Sequence, residues 1–123
     1  MYEIEIVSSF AAAHSLRQYK GKCERLHGHN YRVHVTARSS APKSDGMVMD
    51  FGDFKGVTNG ILDQLDHRFL NEIKPFDEIE PSAENVAAFI FREIEQGMKE
   101  RGHLLHSVGV WESDTSVARY IRG

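Results

Sequence analysis

Three histidines carry the strongest chemical signal in the sequence. His27 and His29 stand two residues apart at the start of an alternating segment, and residues i and i+2 of a strand project to the same face. Both imidazoles can therefore converge on one ion, and Gly28 between them leaves room for a close approach. His14 ends an earlier alternating segment on its apolar side and can join them if the two strands pair. Three histidines with an open fourth position are typical of catalytic zinc; the alternative is three ordinary polar residues near a loop.

Cys23 lies four residues before His27, in a loop rich in glycine and lysine. Lys20, Lys22 and Arg25 favour the thiolate, which is the form of cysteine that acts as a base or a nucleophile. A second possibility is that Cys23 is a fourth zinc ligand. The site would then be a closed Cys-His₃ centre with a structural role only.

Two more polar groups are candidates for catalysis or binding. An aspartate can orient a histidine ring and stabilise its charged form, and Asp66 precedes His67 directly. Adjacent side chains need not bond to each other, and such a pair is commonly a surface feature. Glu112 ends an apolar segment. It is either a solvated strand terminus or an anchor for a cationic or amide-bearing ligand.

Composition places the chain among ordinary globular proteins and excludes several classes. Its 123 residues, 41% hydrophobic and 27% charged, fit one domain over residues 1–123. A net charge of −3 argues against a nucleic-acid partner. One cysteine excludes an intrachain disulfide. The acidic Met1–Val7 segment is unlike a secretory signal, and no apolar run suits a membrane helix, so the cytoplasm is expected. A domain this small favours a site shared between subunits.

Hydrophobic periodicity predicts the elements that position these residues. Alternation predicts strands over residues 2–13 and 29–38, and further strands over 104–112 and 117–122. Residues 41–46 have the composition of a turn. Asp50 is a predicted N-cap, followed by an apolar helix face. That face comprises Phe51, Phe54, Val57, Ile61 and Leu65.

A second helix is predicted to start at Ser82 and to run to about Gly102. The resulting order is β-β-α-α-β-β. It predicts an α+β domain with a four-stranded antiparallel sheet and two helices on one face. The sheet edges need covering, and sheet extension in an oligomer would cover them.

Five segments of the sequence resemble the 6-pyruvoyltetrahydropterin synthase and 6-carboxytetrahydropterin synthase family. They are Phe10–His14, Cys23–His29, Asp66–Asn71, Pro81–Asn85 and Trp111–Ser113. The likeness runs in order from about residue 3 to residue 122. The Cys-x-x-x-His-Gly-His element with the upstream histidine is its most specific part.

The resemblance implies a tunnelling fold, or T-fold, in which subunits join their sheets into a barrel and two trimers stack as a homohexamer. It implies active sites at the subunit interfaces and a pterin triphosphate substrate. It also makes His14, His27 and His29 the ligands of Zn²⁺. Zinc would hold and polarise the hydroxyls of the substrate side chain.

The remaining roles implied by the resemblance fall on residues outside the histidine cluster. Cys23 would be the proton-abstracting base, and Asp66 with His67 the proton-relay partners. Glu112 would anchor the pterin ring, with Ser82 assisting. By charge alone, the triphosphate would meet Arg17, Lys20, Lys22 and Arg25.

The short chain and the spacing around Cys23 resemble the bacterial carboxy enzymes of queuosine biosynthesis. Their reaction converts 7,8-dihydroneopterin triphosphate to 6-carboxy-5,6,7,8-tetrahydropterin and releases acetaldehyde and triphosphate. Relatives with glutamate in place of this cysteine make a different pterin. The alternatives are a 6-pyruvoyltetrahydropterin synthase and, from another class, a non-catalytic hexameric protein that binds zinc or pterin.

Overall fold

The fold consists of one five-stranded sheet and two α-helices. A computed structural model of the protein describes residues 1–21 and 24–123. The elements are β1 (Tyr2–His14), β2 (His27–Ser39), α1 (Phe51–Leu62), β3 (Arg68–Phe69), α2 (Ala83–Gly97), β4 (Leu105–Ser113) and β5 (Ser116–Ile121). Short 3₁₀ helices span Leu70–Glu72 and Lys99–Leu104. The α+β class predicted from the sequence is confirmed.

The sheet is mixed and has the strand order β3-β1-β2-β4-β5. Four strands pair antiparallel, as predicted, but β3 runs parallel to β1 and pairs with Ala12 and Ala13. The predicted sheet of four antiparallel strands was therefore wrong by this fifth strand. β3 is two residues long, so it leaves no period-two pattern for the sequence to show. A main-chain hydrogen bond next to β3, from His67 N to Ala11 O at 2.5 Å, holds β3 against β1.

One face of the sheet and both helices enclose the core. Alternate residues of β1 and β2 are buried on that face, as period two predicts. Those from the two strands are Ile6, Phe10, Ala12, Tyr31, Val33, Val35 and Ala37. Helix α1 packs against β1, and α2 packs against β4 and β5. β1 and β2 are therefore part of the layer that carries the core.

The N-cap predicted for α1 is confirmed. An Asp50 carboxylate oxygen accepts the backbone N–H of Asp53 at 3.0 Å, and Asp50 has extended backbone angles. This bond satisfies one of the amide groups that the first turn of a helix leaves unpaired.

The predicted apolar face of α1 is confirmed except at Phe51, since Val57 and Ile61 also pack against the core. Phe54, Thr58 and Leu62 are buried, whereas Phe51 is 55% exposed. Leu65 is buried but lies beyond the end of the helix. Phe54, Thr58 and Leu62 are spaced by four residues and lie along one line of the helix surface. Phe51 precedes Phe54 by three residues and lies to one side of that line.

Helix α2 is shorter than predicted. It starts after the N-cap Ser82, as expected, but ends at Gly97 and not at Gly102. Lys99 has φ +57°, a left-handed conformation that stops an α-helix. The chain continues as a 3₁₀ helix over Lys99–Leu104. The sequence therefore still has a helical pattern beyond the end of α2.

Among the helices of the described ranges, none is long and apolar enough to cross a bilayer.

We expect Asp50→Ala to lower the free energy of unfolding by about 0.5–2 kcal/mol, because the first turn of α1 loses its acceptor. Urea unfolding followed by circular dichroism measures the change. Asp50→Asn is the matched control, since the amide oxygen still accepts the Asp53 N–H. Equal unfolding midpoints for the two variants would show that the cap contributes nothing.

Candidate metal centre and active site

The register between β1 and β2 brings the three predicted histidines together. His14 is directly opposite His27, and His29 lies opposite Ala12. All three rings lie at one end of the strand pair, on the side that faces the helices. Their centroids are 4.6 Å apart for His14 and His27, 4.9 Å for His14 and His29, and 4.7 Å for His27 and His29. The sequence prediction that these histidines converge is confirmed.

Main-chain carbonyls determine which nitrogen carries the proton in two of the rings. His14 Nδ1 donates to Pro81 O at 2.7 Å, and His27 Nδ1 donates to Arg25 O at 2.9 Å. A carbonyl oxygen can only accept, so Nδ1 holds the proton in each neutral ring and Nε2 keeps its lone pair. The Nε2 atoms of both rings point into the centre of the cluster.

These lone pairs fit a bound cation. The Nε2 atom of His14 is 3.0 Å from that of His27 and 3.1 Å from that of His29. Two lone pairs at this distance repel unless a positive charge lies between them. Zinc binds imidazole nitrogen at about 2.0–2.1 Å, which at a tetrahedral angle puts two such nitrogens about 3.3 Å apart. All ligand atoms of the three histidines lie within 4.8 Å of one another, so these residues could hold a metal ion.

The cluster is closed on one side and open on the other. His14 is buried, whereas His27 and His29 are partly exposed. Burial lowers the pKa of His29, and the nearby negative charge of Glu112 offsets only part of that effect. A lowered pKa favours the neutral ring, which is the form that binds metal.

Tyr31 lies beneath the cluster. Its hydroxyl is 3.2 Å from His14 Nδ1, and its ring stacks on Phe10 with centroids 4.6 Å apart. Burial raises the pKa of Tyr31 well above its usual range, and the negative charges of Glu112 and Glu24 act in the same direction. The hydroxyl therefore stays neutral and supports the back of the His14 ring.

Glu112 approaches the cluster from β4. Its Oε1 is 4.0 Å from His14 Nε2, and its Oε2 is 3.9 Å from His29 Nε2. The pairing of β4 with β5 shifts register between Trp111 and Ser113, at Glu112 itself. The carboxylate is partly exposed and also lines a cavity of about 230 Å³ beside the first turn of α2. It lies beyond the usual metal–ligand distance from the histidines and faces space that a ligand can enter.

The side chains of Asp66 and His67 are bonded to each other, which the sequence alone did not decide. Asp66 Oδ2 is 2.9 Å from His67 Nδ1, and Asp66 Oδ1 accepts the Ala11 N–H at 2.9 Å. His67 adopts φ +58°, and its side chain is 82% exposed. Within the described residues the pair forms no hydrogen bond or ion pair with the three histidines. His67 lines the same open cavity of about 480 Å³ as His29.

Comparison with known proteins identifies the family. The family model described as 6-pyruvoyl tetrahydropterin synthase matches residues 3–122. The chain belongs to this family. The 6-carboxy-5,6,7,8-tetrahydropterin synthase of Synechocystis sp. is 41% identical over 117 residues, which cover 91% of this chain and 87% of that protein.

Two more relatives agree with the family assignment. The Haemophilus influenzae protein of the same name is 32% identical over 142 residues, covering 98% of this chain and 99% of its own. The structure of Caenorhabditis elegans 6-pyruvoyl tetrahydropterin synthase matches with a TM-score of 0.89 at 30% identity. That match covers 99% of this chain and 96% of the other.

Two predicted ligand-binding residues of this pterin synthase family member have other bonds in the structure. Ser82 Oγ accepts the Asn85 N–H at 3.2 Å and caps α2. The Arg17 guanidinium donates to three backbone carbonyls and to Glu80. The prediction that Arg17 binds triphosphate therefore loses its support. The role of Ser82 in pterin binding stays a prediction.

The other cationic candidates and Cys23 precede β2 in the sequence. The Lys20 ammonium lies over the Tyr19 ring, 5.3 Å from its centroid, and Arg25 is exposed. Lys22 and Cys23 lie outside the described residues. The assignments of both remain predictions from the sequence.

Sequence reasoning missed two groups in this pterin synthase site, Tyr31 and the Pro81 carbonyl. Tyr31 was within reach of that reasoning, because it follows His29 by two residues and so shares its strand face. The Pro81 carbonyl had no sequence signal. Every residue has a carbonyl, and only the fold decides which one lies beside His14.

The hydrogen bonds of the Asp66 carboxylate lead us to expect a free energy of unfolding that depends on pH. The Ala11 N–H and then His67 hold the pKa of Asp66 below its usual 3.8. The stabilisation is therefore complete above the unfolded pKa and is lost as pH falls through the folded pKa. We expect Asp66→Asn to be less stable than the wild type above about pH 5 and to approach it below about pH 4.

Urea unfolding across this pH range tests the prediction. Asp77→Asn is the control, since the Asp77 carboxylate accepts no hydrogen bond within residues 1–21 and 24–123. A constant difference between wild type and Asp66→Asn at all pH values would contradict it.

Proposed function

We propose that this protein is a zinc-dependent 6-carboxytetrahydropterin synthase of queuosine (7-deazaguanine) biosynthesis. It converts 7,8-dihydroneopterin triphosphate to 6-carboxy-5,6,7,8-tetrahydropterin and releases acetaldehyde and triphosphate. The observation that carries the proposal is the convergence of the Nε2 atoms of His14, His27 and His29 beside the Glu112 carboxylate. The named carboxy relatives support the choice of product.

His14, His27 and His29 would hold the zinc ion through Nε2. When bound, zinc supplies a Lewis acid that polarises the hydroxyls of the substrate side chain. The protein's own contribution is to fix the ring orientations. Pro81 O and Arg25 O hold the Nδ1 protons of two rings, which keeps their Nε2 atoms available.

Glu112 would bind and orient the pterin ring. A carboxylate accepts two parallel N–H bonds, and the 2-aminopyrimidinone part of a pterin offers such a pair of donors. The Glu112 oxygens lie 3.9–4.0 Å from the nearest histidine nitrogens, so a ring held there has its side chain next to the cluster. Orientation of this kind lowers the entropic cost of reaching the transition state.

Cys23 and the Asp66–His67 pair would move protons. The lysine and arginine neighbours of Cys23 favour its thiolate, which suits a base that abstracts a proton from carbon. Asp66 holds His67 Nδ1 at 2.9 Å, so His67 Nε2 faces outward and can accept or deliver a proton. The bond to Asp66 stabilises the imidazolium that forms.

The exposed Asp66–His67 pair suits an active site that is completed by another copy of the chain. β1 and β5 stand at the two sides of the sheet, and β3 covers β1 only at Ala12 and Ala13. Joining these open edges between copies would form the barrel of a homohexamer built as a dimer of trimers. His67 projects beside the β1 edge and would then reach the neighbouring copy's histidine cluster.

We expect the zinc-loaded protein to convert dihydroneopterin triphosphate to 6-carboxytetrahydropterin and acetaldehyde. Mass spectrometry of the reaction mixture identifies both products. The 6-pyruvoyl compound would instead support the alternative favoured by the structural match to the C. elegans enzyme. Zinc binding without turnover would support a non-catalytic zinc or pterin-binding protein.

Substitutions separate the metal ligands from the proton-transfer groups. We expect His27→Gln to lose both zinc and turnover, because a ligand is removed. Cys23→Ala should keep zinc and lose turnover by about 10²–10⁴-fold, the usual contribution of a general base.

His103→Gln is the matched control for the histidine change. His103 lies on the 3₁₀ helix before β4, where its Nδ1 donates to Glu100 O at 2.8 Å. Zinc content by mass spectrometry and turnover are measured on all three variants. Full zinc content in His27→Gln, or normal turnover in Cys23→Ala, would overturn the corresponding role.

A further inference from the structure

Arg17 ties the chain after His14 to the segment that leads into α2. Its Nη2 donates to Phe76 O at 2.6 Å and to Asn71 O at 3.3 Å, and its Nη1 donates to Ile79 O at 3.1 Å. Nη1 also lies 3.4 Å from Glu80 Oε1. One side chain thereby joins four positions of residues 71–80.

Glu80 holds the other side of this junction. Its Oε1 accepts the Arg17 N–H at 3.0 Å, and its Oε2 accepts the Gln18 N–H at 3.1 Å. Asn85 Nδ2 donates to Glu80 O at 2.9 Å and so fixes the peptide group that joins Glu80 to Pro81. Burial raises the pKa of the Glu80 carboxyl, but these backbone and guanidinium donors outweigh it and leave that pKa lowered.

Pro81 connects the Arg17–Glu80 contacts to the histidine cluster. Its carbonyl is the acceptor for His14 Nδ1, at 2.7 Å, and it comes directly after Glu80. His14 stands three residues before Arg17. The two partners of the His14–Pro81 bond therefore lie on the two chain segments that Arg17 and Glu80 join.

We propose that the Arg17–Glu80 pair is a positioning device for the metal ligand His14. It holds the Pro81 carbonyl where it fixes the His14 ring with the proton on Nδ1 and the lone pair on Nε2. Partners in this outer layer typically change metal affinity by about 10–100-fold when they are lost. The inference rests on the zinc site proposed above and adds to it two residues that do not touch the metal.

The chain offers a matched control for an arginine with a purely structural role. Arg122 donates to Leu105 O at 2.8 Å, to Gly102 O at 2.9 Å and to the Glu95 carboxylate. Its pair with Glu95 is 37% and 36% exposed, against 34% and 31% for Arg17 and Glu80. This pair lies near the C-terminal end of α2, which carries Glu95, and is about 20 Å along the helix axis from Pro81.

The experiment compares Arg17→Gln with Arg122→Gln in two measurements. Competition with a chromophoric chelator gives the zinc affinity. Nitrogen-15 NMR of the metal-free protein gives the His14 tautomer, which does not depend on zinc. We expect Arg17→Gln to weaken zinc binding about tenfold or more and to give a mixture of His14 tautomers. Arg122→Gln should keep the zinc affinity within about twofold and the Nδ1–H form.

Two outcomes would overturn the inference. One is equal zinc affinity in the two variants, and the other is an unchanged His14 tautomer in Arg17→Gln. A wild-type protein that binds no zinc would refute the proposed function, while the tautomer measurement would still decide the role of Arg17. If Arg17→Gln fails to fold, Glu80→Gln replaces it, since the amide keeps one acceptor oxygen and should show the same two effects more weakly.

Discussion

The pairing of His14 with His27 across β1 and β2 is the constraint on which the rest of the site depends. A shift of this register by one residue would turn either His14 or both His27 and His29 to the helix-free face and disperse the cluster. The core residues of both strands hold the register, because the same shift would expose Phe10 if β1 turned over or Tyr31 if β2 did. Packing energy of the hydrophobic core thus maintains the geometry of three polar side chains.

The second requirement is a fixed tautomer for each ring. Backbone carbonyls provide it for His14 and His27, and backbone geometry is more rigid than side-chain geometry. Pro81 is well suited to this function because it has no N–H and stands just before the N-cap of α2. The helix start, held by Ser82 and Asn85, and the proposed metal ligand His14 are therefore parts of one hydrogen-bonded unit.

The Asp66–His67 pair is bonded to β1 and, within the described residues, forms no hydrogen bond or ion pair with the histidine cluster. Two bonds to the Ala11 main chain fix the pair on β1, and the His67 side chain is largely exposed. A left-handed backbone at a residue other than glycine costs free energy, and such strain is common where a side chain has to be aimed. The arrangement is consistent with a site assembled from more than one copy.

The sequence by itself determined four of the five strands and the starts of both helices, because each follows from local periodicity or from capping chemistry. It also placed His27 and His29 on one strand face, but the approach of His14 depended on the pairing of β1 with β2. The tertiary structure alone decided the two-residue strand β3, the exposure of Phe51 and the partners of Arg17. It also placed the Pro81 carbonyl against His14. These features depend on contacts between segments distant in sequence and on main-chain groups that every residue has, so no residue type at any one position indicates them.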